Sequence, residues 1–306
     1  MRNITGRILL GLGGFLLVAG VLATVWAPGM IKKTPEDVNT TTRLSGTLQK
    51  LEDDPVPIRA TSVTKTDAEA TDDQTAVWVN TVCVVVDQGN PPDCGSSDSD
   101  ERLFKADVDV FATDRVSAEA VNDIDTLPAD ATPHEGLVNK WPFDAEKQDY
   151  PYWDGTTGQA VTAAYDRTEN LEGIEAYVYK VEISDAPIEI MEGVPGTYDT
   201  VKEIWVEPRT GAVINQTEDQ QRYLEDGSRA VSIQLAFSDE QLATSIADAE
   251  ENLAGLDLML RTVPMIGFIG GGLCLLAGAG LLLTGRPSGS RREATLSDEE
   301  RVSVSA

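Results

Sequence analysis

The sequence predicts a membrane-anchored α+β protein, with a β-rich antiparallel extracytoplasmic domain held between N- and C-terminal transmembrane helices. Two observations carry this: an uncharged apolar window near each end, and a middle built of short alternating segments of Thr, Val, Asp and Glu. The first window, residues 8–31, lies between Arg7 and Lys32 and contains ILLGLGGFLLVAGVLATVW; the second, residues 262–285, lies between Arg261 and Arg286. At about 1.5 Å rise per residue, about 20 apolar residues cross a bilayer core, so each window is long enough. The expected division is therefore a cytoplasmic N-terminus 1–7, a first span 8–31, an extracytoplasmic domain 32–262, a second span 263–285 and a cytoplasmic tail 286–306.

Orientation follows from the flanks. Arg2 and Arg7 precede the first span and Arg286, Arg291 and Arg292 follow the second, so the positive-inside rule puts both tails in the cytoplasm and the domain outside a plasma membrane. Lys32, Lys33 and Arg261 pull weakly the other way. A cleaved signal peptide is the rival reading of the first span; its apolar run exceeds a usual h-region, and Trp26 sits like an interfacial anchor. Both spans are rich in small residues, including Gly267 and Gly271 in a G-x-x-x-G of the second. Such residues let helices approach closely, either the two spans on each other or two copies in a homodimer. Neither span carries an ionisable side chain, which argues against an ion path through them.

Outside the spans and tails the chain holds 18 basic and 47 acidic residues, a net charge of −29. Such a domain repels phosphate backbones, so nucleic acid is not an expected partner. Cys83 and Cys94 flank VVVDQGNPPD in a compartment that permits a disulfide; a reactive or metal-binding pair, with no histidine nearby, is the alternative. Cys274 reads as a packing residue of the second span.

Within the domain, RLFKADVDVF sets Phe104, Ala106, Val108 and Val110 on one face and Lys105, Asp107 and Asp109 on the other, a half-buried strand. AVSIQLAF repeats the pattern, and AVWVNTVCVVV, apolar on both faces, belongs in the sheet interior. Further strands are expected at residues 41–51, 174–183, 202–206 and 212–217, the last two joined by the turn EPRTG. Residues 87–100 and 122–135 read as loops. A helix over 239–261 begins after Phe237, with Ser238 as cap and Gln241 completing a capping box. Its apolar residues Leu242, Ile246, Ala249, Leu253, Leu256 and Leu260, continued by Val263, form a narrow seam that docks on the sheet or pairs with a partner helix. Pro264 then predicts a kink or break.

The densest unusual stretch is WPFDAEKQDYPYWD, where Trp141, Phe143, Tyr150, Tyr152 and Trp153 fall close together between two prolines. It reads either as a loop clamped over a sheet edge or as the wall of a ligand site, since such walls are mostly apolar and aromatic. These five residues are the candidate ligand wall. WPFDAEKQDYPYWDGTTGQAV, followed by EIWVEPRTGAVIN, a helix and a final span, resembles the actinobacterial DUF3068 family, also labelled PorA. The resemblance covers nearly the whole chain and implies a two-span cell-envelope protein, associated with envelope glycolipid assembly.

No enzyme is expected, and no cofactor or metal site. His134 is the only histidine, read as a surface loop residue, and no G-x-S-x-G, P-loop, dinucleotide fingerprint or metal-ligand spacing accompanies it. The expected function is non-enzymatic: binding, presenting or helping to deliver a lipid or glycolipid. The alternative is a scaffold that recruits other envelope membrane proteins; a porin or hydrolase ranks below both.

Overall fold

A computed structural model describes residues 2–95 and 100–284; the tail expected at 286–306 lies outside the described residues. The chain forms two compact units, one of the terminal helices and one of residues 28–258. In the first, α1 (Arg2–Val25) packs on α4 (Val263–Leu283) through glycines. A Cβ on Gly267 would lie 2.8 Å from Gly20 Cα, and one on Gly271 would lie 2.9 Å from the Gly13 carbonyl oxygen. Only glycine permits that backbone approach. Gly267 and Gly271 therefore serve contact between the two helices of one chain. Phe15, Leu273 and Leu276 point away and are exposed, as suits helices long and apolar enough to cross a membrane.

The second unit opens with a short helix α2 (Ala27–Ile31) and contains one sheet of eleven strands. These are β1 (Asn39–Lys50), β2 (Val56–Thr66), β3 (Thr75–Val86), β4 (Leu103–Asp114), β5 (Ala120–Val121), β6 (Tyr150–Asp154), β7 (Gln159–Leu171), β8 (Ile174–Met191), β9 (Val194–Glu207), β10 (Ala212–Leu224) and β11 (Arg229–Phe237). Their order is β5-β4-β3-β2-β1-β11-β10-β9-β8-β7-β6, antiparallel throughout. Two hairpin-linked meanders are thus joined where the first strand pairs with the last. Bulges in β8, between Ile183 and Ala186 and between Glu189 and Met191, add bend to a sheet that already twists. The sheet curls into a half-barrel, and its edges meet at one place. Leu137 bridges to Glu119, next to β5, and to Tyr152 of β6. The Leu137 N–H donates to the Pro151 carbonyl at 2.8 Å and the Trp153 N–H to the Leu137 carbonyl at 2.8 Å. Gly136, at φ +75, permits the contact, since a Cβ there would sit 2.4 Å from the Pro151 oxygen.

The segment from Ala118 to Ala145 packs on one face of this sheet, here called the inner face, against Ala163, Tyr179, Val181, Ile204 and Val206. The outer face receives α3 (Asp239–Asp257), whose Ile246, Ala249, Leu242 and Leu253 lie on Ile174, Ala176, Val178, Trp205 and Ile214. The apolar seam of that helix is therefore occupied by the sheet. Ser238 caps it, accepting from the Gln241 N–H at 3.2 Å. The reciprocal half of the capping box is not made: Gln241 Oε1 accepts from the Arg43 N–H at 3.0 Å, and the Ser238 N–H donates to the Arg43 carbonyl, because β1 lies beside the helix start. After α3 the chain stays helical through a π turn, Leu258–Thr262, immediately before Pro264. The predicted break is a widened turn, which accommodates a ring that would clash with the carbonyl four residues back.

Three expectations from sequence change. The aromatic stretch is not all loop, since Tyr150–Asp154 forms β6. Strands β2 and β7 went unpredicted, and β8, β9 and β10 run longer than expected. In β4 the register shifts opposite Val84 and Val85, so Phe104 joins the cluster around Leu48 and Val84 while Ala106 and Val108 lie on the opposite face, exposed. One bulged residue reverses the faces that simple alternation assigns.

Candidate functional site

The five wall aromatics fall into separate groups. Trp141 is 1% exposed and stacks on Tyr152 and Tyr179, with ring centroids 5.6 and 5.1 Å away. It is held by its backbone N–H donating to the Gly211 carbonyl at 2.9 Å; a Cβ on Gly211 (φ +72) would lie 2.0 Å from the Trp141 oxygen. Tyr150 meets Tyr179 edge-on at 5.7 Å, and the Tyr179 hydroxyl donates to the Glu146 carbonyl at 2.7 Å. Burial pushes that phenol well above its ordinary range. Phe143 lies under the Lys140 ammonium at 4.1 Å. Trp153 packs instead on His134, at 4.5 Å, in a row continued by Phe111 and Trp78. Trp141, Tyr150 and Tyr152 thus fill a core between segment and sheet, and none of the five lines either of two surface grooves. One groove, about 420 Å³, lies by the Cys83–Cys94 disulfide; the other, about 670 Å³, is bordered by Asp199, Glu203, Asp219 and Gln234.

His134 corrects the sequence reading: it is 3% exposed, not a surface residue. Its backbone N–H and C=O are both held by the Asn122 amide, at 2.9 and 2.8 Å. Its ring nitrogens lie 2.7 Å from the Thr132 carbonyl and 2.8 Å from an Asp109 carboxylate oxygen. The residue pins the 122–134 segment to β4 and, through Trp153, to β6.

From Asp109 the inner face continues as a polar row. Strand register sets Thr40, Thr64, Asn80 and Asp109 side by side, with Thr42, Ser62 and Val82 in the next row. The Asn80 amide donates to Ser62 Oγ at 2.9 Å and to Thr64 Oγ1 at 2.7 Å, and all three side chains remain half-buried and open to solvent. The row beyond holds Leu44, Ala60 and Val84, which open a buried apolar cluster with Leu48, Ile58 and Ile233. Hydroxyls, an amide and a carboxylate therefore border a buried aliphatic cluster on the inner face. Sequence reasoning missed this row because β2 carries Thr or Ser on both faces and shows no alternation.

Deeper on the same face, Lys202 of β9 stands opposite Glu218 of β10, 3.4 Å apart and both buried. Burial pulls the ammonium down, but Glu218, with Tyr152, Tyr198 and Asp154 behind it, more than reverses this and holds Lys202 above the ordinary lysine range. Tyr198, wholly buried, is pushed up to about 12 by its burial. Among the described residues no cluster of three or more His, Cys, Asp and Glu is arranged to hold a metal ion.

A family model described as Porin PorA matches residues 5–280. Comparison with curated proteins returns no match.

Proposed function

The chain belongs to the Porin PorA family, and on that premise we propose that it is a non-enzymatic, membrane-anchored cell-envelope protein whose β domain binds, presents or helps to deliver a lipid or glycolipid. The observation that carries this reading is the amphiphilic inner face: Thr64, Asn80 and Asp109 beside Leu44, Ala60 and Val84. The half-buried hydroxyls and amide of that row offer hydrogen bonds to a polar head, and the aliphatic cluster beside them, buried in the domain, is where a chain would have to enter. Two apolar terminal helices supply anchors, and the arginines before the first and after the second favour cytoplasmic tails with the domain on the far side of the plasma membrane.

A channel formed by the strands themselves fits less well. The outer face of β9 and β10 presents Asp199, Glu203, Asp219 and Gln221, where a bilayer barrel needs an apolar band. A recruiting scaffold is also less favoured, because the small-residue helix faces and the α3 seam are already occupied within the chain.

The test is lipid mass spectrometry of the full-length protein purified in detergent, compared with Asn80→Leu. The expected result is one lipid class enriched over the source membrane at about one molecule per chain and lost from the variant. Retained lipid of bulk composition in both, together with discrete conductance steps in a planar bilayer, would replace this reading with a channel.

A further inference from the structure

Strand β4 borders the sheet, and β5 covers it only at Ala112 and Thr113. Among the described residues, Phe104 to Val110 pair with β3 alone, leaving their other edge open. The Val108 N–H donates to the neighbouring Asp107 carboxylate at 3.0 Å rather than to a strand, which identifies the outward-facing backbone groups as those of Ala106, Val108 and Val110. Val108 is 65% exposed, and beside it lies the groove lined by Val63, Cys83, Cys94 and Ala106. An open edge with an apolar outer strip is a template for a further strand.

We propose that β4 pairs antiparallel with β4 of a second copy of this chain, about a two-fold axis at Ala106. The charge pattern selects both occupant and register. Centred on Ala106, the pairing sets Lys105 of each copy directly opposite the partner's Asp107, in the closely spaced positions that exchange no backbone bond. Both side chains are exposed, 48% and 59%, and lie 3.4 Å apart; Asp107 also accepts from the Val108 N–H, a bond that the pairing replaces with a backbone one. Centring on Asp107 or Val108 instead sets aspartate against aspartate. The backbone bonds then fall between the two Ala106 residues, and Val108 of each copy faces the partner's strand at the bulge around Phe104. This covers the exposed Ala106 and Val108 strip, and the symmetric arrangement closes on itself as a dimer.

The experiment uses full-length protein in detergent, with mass read by light scattering after size exclusion. Wild type is expected as a dimer. Lys105→Asp places two aspartates against two, and Asp107→Lys two lysines against two, so each variant alone is expected as a monomer. An equimolar mixture restores both ion pairs and is expected to run as a dimer at the wild-type mass. Both positions are exposed, and an unchanged β-sheet circular dichroism spectrum confirms the fold of each variant. A monomeric wild type, single variants that remain dimeric, or a mixture that stays monomeric would each overturn the proposal.

Discussion

At the residue scale the inner face carries ionisable groups whose surroundings set opposite outcomes. Lys202 and Glu218 form a buried cross-strand pair, so removing one partner strands the other charge. Lys202→Met is expected to destabilise by about 3 to 5 kcal/mol, whereas Lys202→Met with Glu218→Leu should cost much less. Denaturant unfolding of the three variants as a cycle checks this, and a double-variant loss equal to the sum of the two single losses would show the pair to be uncoupled. Lys140 is the contrary case. Its ammonium has Thr34 Oγ1 at 3.2 Å and the Phe143 ring for company, with no carboxylate partner among the described residues, and burial pushes it down to about 8. Because the folded value lies below the ordinary 10.5, the stabilising contribution of neutral Lys140 is full above 10.5 and lost as pH falls through about 8. Lys140→Met should therefore stabilise at neutral pH, on the order of 1 kcal/mol since the side chain is only partly out of water. The gain should vanish as pH rises past 10; a gain independent of pH would mean that packing and not charge explains it.

At the element scale, what could be read from sequence depended on whether one strong local pattern ruled a segment. The two apolar windows, the cap at Ser238 and the apolar run of β3 have such patterns: the windows form helices long and apolar enough to cross a membrane, the first running Arg2–Val25 where 8–31 is expected, and the cap and strand appear where expected. Strand β2 was hidden by Thr and Ser on both faces, β7 by its charged residues, and β4 was misfaced by a bulge that no residue type announces. His134 was misplaced because its burial depends on Asn122, Asp109 and Trp153, none of them fixed relative to it by local spacing. The Cys83–Cys94 disulfide, by contrast, followed from the compartment and the intervening turn. It ties the loop after β3 to the outer face, where Arg43 also grips Asp93 with two bonds of 2.8 Å and holds its carboxyl below the usual range. Replacing both cysteines by serine should cost about 3 kcal/mol. The Arg43–Asp93 pair should keep the loop in place, so a fall in thermal stability without loss of β-sheet signal is the expected readout. A collapse of sheet content would show that the disulfide holds more than its loop.

At the scale of the whole β domain, the decisive contact is the least legible one. Eleven strands in two meanders leave two edges, at β4–β5 and at β6, and open edges invite unwanted pairing. The chain joins them with Gly136 and Leu137, which belong to no named strand and directly follow the segment 122–135 that sequence assigns to loop. Joining the edges requires the 122–137 segment to cross from one side to the other, and the bonds from Asn122 and Asp109 to His134 hold it there. Amide exchange tests this closure. Loop amides exchange freely, whereas amides bonded in a closed sheet open only with the sheet. Leu137 and Trp153, whose N–H groups donate across the seam, should therefore be protected to the same degree as interior amides of β9 and β10. His134→Ala should remove that protection at the seam first and leave β9 and β10 unchanged. Fast exchange at Leu137 in the wild type would mean that the edges are apart in solution and that the inner face is open along its whole length.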